Sequence, residues 1–153
     1  MISYVGGFLF NVDGTRLALV QKIKPDWQNG FLNAVGGKIE IGEDPMAAMI
    51  REFREETGVY YPDWKPVVRM HNDASHQEDY HHYEVFFYVG HSHIVESCCT
   101  VEAETIHVVD IKPELYPRCL SNLAWLIPMA ADPNVIRYGF SQIAYKDRSS
   151  ART

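Results

Sequence analysis

The segment between Asp44 and Gly58 constrains the fold of this chain most strongly, because both of its ends carry residues that terminate helices. Asp44 is a good N-cap, Pro45 is tolerated in a first helical turn, and Gly58 provides a C-terminal stop. Apolar residues recur inside the segment at the spacing of one helical face: Met46, Met49, Ile50 and Phe53. The pattern predicts a helix from about Pro45 to Thr57 with one buried stripe.

Carboxylates occupy another face of the predicted helix. Glu52, Glu55 and Glu56 are spaced so that their side chains are neighbours, and like charges at this spacing repel each other. One explanation is a solvated acidic face, which is the commoner origin of charge runs. The other is a divalent cation such as Mg²⁺, which prefers carboxylate and carbonyl oxygens. The Gly36-Gly37 pair before the helix would let the backbone approach such a site.

Composition argues against several classes of protein. Fourteen basic and twenty acidic side chains give a net charge of −6, which disfavours binding to duplex nucleic acid. The N-terminus lacks a signal-peptide pattern, and no apolar run approaches the roughly 18 residues of a membrane-spanning helix. Three cysteines without metal-ligand spacing indicate reduced thiols. We therefore expect one domain over residues 1–153, located in the cytoplasm and outside the membrane.

The rest of the chain predicts strands and a second helix. Five segments have the apolar, β-prone composition of strands, and a sixth is expected near the end of the chain: residues 4–10, 16–22, 31–35, 83–89, 105–109 and 138–145. The first two form a hairpin that turns at Asp13-Gly14, and the third stops at Gly36-Gly37. A helix is expected between Glu114 and Asp132, kinked or ended early by Pro128. Together these elements indicate a mixed α/β fold.

Two further sets of residues have predicted surroundings. The tail, residues 146–153, is polar and is expected to fray. Seven histidines are expected in exposed loops, including a cluster in sequence formed by His71, His76, His81 and His82.

The glycines and charged residues around the predicted helix occur in one ungapped frame. Starting at Gly37, the frame has five residues, Glu43, seven residues, Arg51-Glu52-Phe53, one residue, Glu55-Glu56, one residue, and Gly58-Val59. This resembles the Nudix box, GX5EX7REUXEEXGU, in which U is a bulky apolar residue. Phe53 is the loosest match, because an aliphatic residue is common there. The box spans residues 37–59, and the resemblance implies an α/β/α sandwich with a mixed β-sheet between helices.

The resemblance also implies an activity and a set of site residues. Nudix hydrolases cleave a nucleoside diphosphate linked to another moiety, using Mg²⁺ or Mn²⁺ and an attacking water. By this resemblance Glu52 and Glu56 would be the main metal ligands, assisted by Glu55 and the Gly37 carbonyl. The same comparison gives supporting roles to two residues, with Arg51 orienting a box glutamate and Glu43 supporting either the loop or the residues that surround the metal ligands. The general base would be Glu52 or a later acid, Glu102, with Glu104 behind it.

The substrate is less constrained by the sequence. Markers of ADP-ribose, coenzyme A and NADH hydrolases are absent, which favours a MutT-like enzyme that converts a nucleoside triphosphate, intact or oxidised, to monophosphate and pyrophosphate. The stretch WQNGFLNAVGGKIE is similar to the WNGFGGK approach of oxidised purine nucleotide hydrolases. Candidate contacts to the nucleoside are Asn33 and Asn122 through their amides, and Trp27 and Phe31 through stacking. Each of these four residues also has a purely structural explanation.

Other readings of the resemblance stay open. ADP-ribose, a nucleotide sugar or a dinucleoside polyphosphate could be the small-molecule partner instead. A non-catalytic Nudix protein that senses a nucleotide is the alternative from another class. A homodimer is an assembly that the resemblance implies.

Overall fold

The computed structural model describes residues 1–72, 82–135 and 139–145. Within these ranges there are eight strands: β1 (Ile2–Phe10), β2 (Arg16–Gln21), β3 (Leu32–Asn33), β4 (Val35–Lys38), β5 (Lys65–Asn72), β6 (Tyr83–His91), β7 (Thr105–Asp110) and β8 (Ser141–Tyr145). The same ranges contain the α-helices α1 (Pro45–Thr57) and α2 (Leu123–Ala131). The predictions made for His76, His81 and residues 146–153 lie outside the described residues. Within those residues, neither α-helix has the length and apolarity needed to cross a membrane.

Strand β1 lies at the centre of the sheet. One of its edges pairs in parallel with β6, from Ile2 opposite Tyr83 to Phe10 opposite His91. Its other edge is shared, because β4 pairs with the first half and β2 contacts β1 only near Phe10. Strand β2 pairs along its whole length with β7 and, at its end, with β3. Strands β1 and β2 therefore diverge, and β3 and β4 fill the gap between them.

Each face of the sheet is covered by a helix. Along β1, Phe8 and Phe10 belong to the core that contains α2, whereas Val5 and Leu9 belong to the core that contains α1. This period of two is the alternation that a strand imposes on its side chains. Burial of each large apolar side chain contributes about 1.5–3 kcal/mol, so both layers have a strong driving force. The predicted α/β/α sandwich with a mixed sheet is confirmed.

Helix α1 begins and ends where the sequence predicts. The Asp44 carboxylate accepts hydrogen bonds from the backbone N–H groups of Met46 and Ala47 at 3.0 and 3.2 Å. Gly58 adopts φ 76°, a left-handed conformation, and its N–H donates to the Arg54 carbonyl. These contacts satisfy backbone groups that a helix otherwise leaves without partners at its ends. The helix presents a fixed face on which the glutamates project.

Two predictions about strands were wrong. The third strand does not stop at the glycine pair, since β4 runs through Gly36 and Gly37 to Lys38. A Cβ at Gly36 would collide with the backbone of Val5, so glycine is required there by the close approach of β1. Strand β5 was missed, because Pro66 and a bulge between Pro66 and Val68 disturb its alternation. His71, expected in a loop, lies in this strand, and His91 and His107, with the same expectation, lie in β6 and β7.

The second helix is shorter than predicted, and it does not end at its proline. A 3₁₀ helix, Pro113–Arg118, occupies the first part of the region, and α2 follows after a turn. Pro128 lies inside α2, which continues to Ala131. Proline removes one helical hydrogen bond, but Leu126, Ile127 and Ala130 are buried on both sides of it. Packing of this apolar face on the sheet outweighs the lost bond.

Candidate active site

Arg51 lies at the centre of the acidic face of α1. Its Nε and Nη2 atoms each donate to a carboxylate oxygen of Glu43 at 2.8 Å. Its Nη1 atom contacts Glu52 at 2.7 Å and Glu55 at 3.2 Å, and Nη2 also reaches the Lys38 carbonyl at 3.1 Å. The two-pronged contact with Arg51 lowers the pKa of Glu43 to about 2. The arginine thus joins the loop before the helix to the glutamates on it.

Glu52 lies between α1 and β4. A Cβ at Gly37 would collide with the Glu52 carboxylate, which shows how closely this carboxylate approaches the strand. Burial raises the pKa of Glu52, and although the Arg51 hydrogen bond opposes this, the charges of Glu55 and Glu102 add to it. A carboxylate with a raised pKa is suited to accept a proton near neutral pH.

Glu56 is one turn further along the same helix face. Its Oε2 atom is buried and has no hydrogen-bond partner among the described residues. Burial raises the pKa of Glu56 to about 7, the Lys22 charge acts against this, and Glu104, Glu102 and Glu52 add to it. A buried carboxylate oxygen without a donor is costly in a folded protein. A bound cation would relieve this cost.

The loop before β7 carries the two later acids, which have different surroundings. Glu102 is exposed, and its charge acts on both Glu52 and Glu56. Glu104 contacts the Lys22 ammonium at 2.9 Å and the backbone N–H of Ile23 at 2.6 Å. Burial opposes ionisation of Glu104, but these hydrogen bonds outweigh it and lower its pKa. Glu102 is therefore close to the box glutamates and has no partner among the described residues that fixes it, whereas Glu104 is held by Lys22 and Ile23, which follow β2.

A cavity of about 380 Å³ lies on the α2 side of the sheet. Of the residues predicted to contact a nucleoside, Trp27, Asn33 and Asn122 line this cavity, and Phe31 is not among the lining residues. Gly36 and Gly37 also line it, so its wall continues into the strand that contacts Glu52. Further lining residues were not predicted: Tyr4, Lys22, Gln28, Met70, Tyr83, Val85 and Phe87. Most of them lie on strands whose pairing brings them together, which single-sequence patterns do not show.

The amide of Asn33 is partly committed to the protein. Its Oδ1 atom accepts the backbone N–H of Ala34 at 2.8 Å. Its Nδ2 atom makes a long contact of 3.4 Å with Gln28 Oε1, which is weak by ordinary criteria. Oδ1 keeps a second lone pair and Nδ2 keeps a second N–H, so the predicted pairing of both amide atoms with a base edge stays open.

The donor set of the acidic face fits a hard divalent cation. Carboxylate oxygens, a partnerless buried Oε2 atom of Glu56 and a backbone beside Gly37 are the ligands that Mg²⁺ prefers. Among the described residues, no three His, Cys, Asp or Glu side chains are already arranged to hold a metal. Arg51 pairs with one oxygen of Glu52 and one oxygen of Glu55, so it leaves the second oxygen of each carboxylate to a cation.

Known proteins share this fold. A model of the NUDIX domain matches residues 2–121. No curated protein sequence gave a significant match. A mutator MutT protein from Bacillus halodurans has a TM-score of 0.68 at 18% identity, covering 95% of this chain and 91% of that chain. The Nudix domain of Shewanella oneidensis NrtR, complexed with ADP-ribose, has a TM-score of 0.70 at 19% identity, covering 85% of this chain and 86% of that chain. A MutT Nudix hydrolase from Burkholderia pseudomallei has a TM-score of 0.62 at 18% identity, covering 83% of this chain and 97% of that chain.

The match to the domain model identifies the class. It spans most of the chain and contains α1, its capping residues and all of the box glutamates. The chain therefore belongs to the Nudix family and is a Nudix hydrolase, an enzyme that acts on phosphoanhydride bonds.

Proposed function

We propose that this Nudix hydrolase converts a nucleoside triphosphate, intact or oxidised, to the monophosphate and pyrophosphate with Mg²⁺ or Mn²⁺. One observation carries the proposal: a cavity of about 380 Å³ lies against Gly36-Gly37, and the other side of this strand contacts the Glu52 carboxylate. A cavity of this size lies within the range of small-molecule sites. A nucleoside there can direct its phosphates along the glycine backbone towards the glutamates of α1.

The nucleoside would be held by residues of the cavity. Trp27 is 56% exposed and lines the cavity, so its ring is free to stack on a base. Asn33 would donate from Nδ2 to an acceptor on the base, and Asn122 at the start of α2 would supply a second amide. These contacts would orient the substrate so that the reacting phosphorus lies on the other side of β4, beside the glutamates of α1.

The acidic face would hold the cation and activate water. Glu52, Glu55 and Glu56, with the Gly37 carbonyl, are the proposed ligands, and the chemistry that the cation supplies when bound is neutralisation of phosphate charge. Glu52 is the proposed general base, because burial raises its pKa and Arg51 fixes its orientation. It would take a proton from water as the water oxygen bonds to phosphorus and the phosphoanhydride bond breaks. Glu102, exposed beside both glutamates, is the alternative base.

Three other features stay predictions from the sequence: the cytoplasmic location, the homodimer and the supporting role of Glu43. The resemblance between this fold and a Nudix domain complexed with ADP-ribose keeps a sugar-linked nucleoside diphosphate as the second candidate substrate. A nucleotide-sensing protein without hydrolytic activity would bind the same compounds unchanged.

The test is release of pyrophosphate and orthophosphate from a panel of substrates, with Mg²⁺ and with chelator. The panel contains canonical and oxidised nucleoside triphosphates, ADP-ribose, nucleotide sugars and dinucleoside polyphosphates. We expect metal-dependent release of pyrophosphate from triphosphates, lowered at least 100-fold in Glu56→Gln and kept in Glu114→Gln, which alters an exposed acid that is neither in the box nor among the cavity-lining residues. Turnover of ADP-ribose alone would overturn the proposed substrate. Full activity of Glu56→Gln would overturn the ligand assignment.

A further inference from the structure

The pair formed by Lys22 and Glu104 joins the two halves of the proposed site. Lys22 follows β2 and lines the cavity together with Asn33 and Gly36, and it is the one charged residue among the described lining residues. Its charge is also the largest favourable electrostatic influence on Glu56. The ammonium group therefore lies where the cavity meets the acidic face.

Glu104 holds this ammonium in place. One carboxylate oxygen contacts Lys22 Nζ at 2.9 Å, and the other accepts the backbone N–H of Ile23 at 2.6 Å. The second contact ties the carboxylate to the backbone next to the lysine, so the side chain of Glu104 cannot turn away without losing both bonds. The side chains of Lys22 and Glu104 are 21% and 19% exposed, which makes this contact less open to solvent than most surface ion pairs.

Glu56 on α1 and Glu104 in the loop before β7 thus have separate environments. Glu56 has a buried oxygen without a partner, which calls for a cation. Glu104 already has a cation in the lysine, and both of its oxygens are engaged. A free lysine side chain samples many rotamers, and fixing it in advance lowers the entropy lost when it binds an anion.

We propose that Glu104 is a positioning residue that holds Lys22 at the junction of the cavity and the acidic face, where the lysine ammonium binds the phosphate chain of the substrate. This inference rests on the proposed function for the kind of ligand, a nucleoside phosphate. It assigns to Glu104 a role distinct from the metal ligands on α1.

The experiment combines steady-state kinetics with metal binding in the absence of substrate. Lys22→Met removes the ammonium and keeps much of the stem, and Glu104→Gln keeps an oxygen for Ile23 while removing the charge. We expect KM for the triphosphate to rise about 10-fold in each single variant and no further in the double variant, with kcat within about 3-fold. Mn²⁺ binding to the substrate-free protein, followed by calorimetry, should change by less than 3-fold in Glu104→Gln. In Glu56→Gln it should weaken at least 10-fold.

Two results would overturn the proposal. A loss of Mn²⁺ affinity in Glu104→Gln equal to that in Glu56→Gln would make Glu104 a metal ligand. Additive effects of the two single variants on KM would show that they act independently. If the wild-type protein hydrolyses nothing, the same variants are compared by binding of a nucleoside triphosphate, followed by calorimetry. Failure of the proposed function and failure of this inference are thereby distinguished.

Discussion

At the scale of single residues, four glutamates of the same chemistry have four different surroundings. Glu43 is ionised by a two-pronged contact with Arg51, and Glu104 is ionised by Lys22 and a backbone N–H. Glu52 is half-buried but still hydrogen-bonded, whereas Glu56 has a buried oxygen with no donor among the described residues. The surroundings of Glu43 and Glu104 therefore suit them to fix loops, whereas those of Glu52 and Glu56 suit them to bind a cation or accept a proton.

The buried charge of Glu56 should lower the stability of the metal-free protein at high pH. Burial raises its pKa to about 7 from the ordinary value of 4.5. For a raised pKa, the stabilisation from the protonated form is complete below pH 4.5 and is lost as pH rises to about 7. Glutamine is neutral at every pH, so Glu56→Gln should be more stable than the wild type at pH 8 by about 1–2 kcal/mol, a value reduced for partial solvent access.

Urea unfolding in chelator at pH 4.5 and pH 8 measures this difference. The gain of Glu56→Gln should be present at pH 8 and small at pH 4.5, and Glu114→Gln, which alters an exposed acid, is measured beside it as the control. Equal stability of wild type and Glu56→Gln at pH 8 would show that the ionised Glu56 side chain does not destabilise the folded protein.

At the scale of elements, α1 could be predicted to the residue and the strands could not. The limits of α1 depend on contacts within a few residues, such as the Asp44 cap and the left-handed Gly58. Strand β4 depends on a neighbour distant in sequence, since Gly36 is required by Val5 rather than by a turn. From the sequence alone, the glycine pair predicts the end of a strand, because glycine is more common in turns.

The cap of α1 should make a measurable contribution to stability. Asp44→Ala removes the acceptor for the N–H groups of Met46 and Ala47, and its cost should be about 1 kcal/mol in the free energy of unfolding. Asp44→Asn keeps a side-chain oxygen and should lose less than half of this amount. Thermal or urea unfolding at neutral pH measures both variants, and an equal loss in the two would mean that charge rather than hydrogen bonding stabilises the helix start.

At the scale of the whole molecule, the site is built from both faces of a divided sheet. The acids project from α1 on one face, the cavity lies on the other, and the segment of β3 and β4 crosses between them. The sequence predicted the acids and three cavity residues, because the box and the approach to it are local patterns. Lys22, Tyr83 and Met70 were missed because β1, β2, β5 and β6 bring them together only after they pair.

Because the two halves lie on opposite faces, substitutions in them should have separable effects on catalysis. Trp27→Ala removes a ring from the cavity wall and should raise KM for a nucleoside triphosphate about 10-fold, since base stacking is worth about 1–3 kcal/mol. Its kcat should stay within about 3-fold, because no acid of α1 is altered. Phe31→Ala is the matched control, as this exposed aromatic lies in the same loop outside the cavity lining and should leave KM within 2-fold.

Substitution of a glutamate on α1 should instead change kcat and leave KM nearly unaltered. Glu56→Gln should lower kcat at least 100-fold and change KM little, because the nucleoside contacts remain. Steady-state kinetics on the three variants with one substrate gives both constants. Loss of kcat in Trp27→Ala without a rise in KM would mean that the ring acts on the chemical step, and the cavity could not then be the nucleoside-binding half. The changes in KM and kcat thus decide whether the residues that bind the nucleoside and the residues that hydrolyse the phosphoanhydride lie on opposite sides of β4.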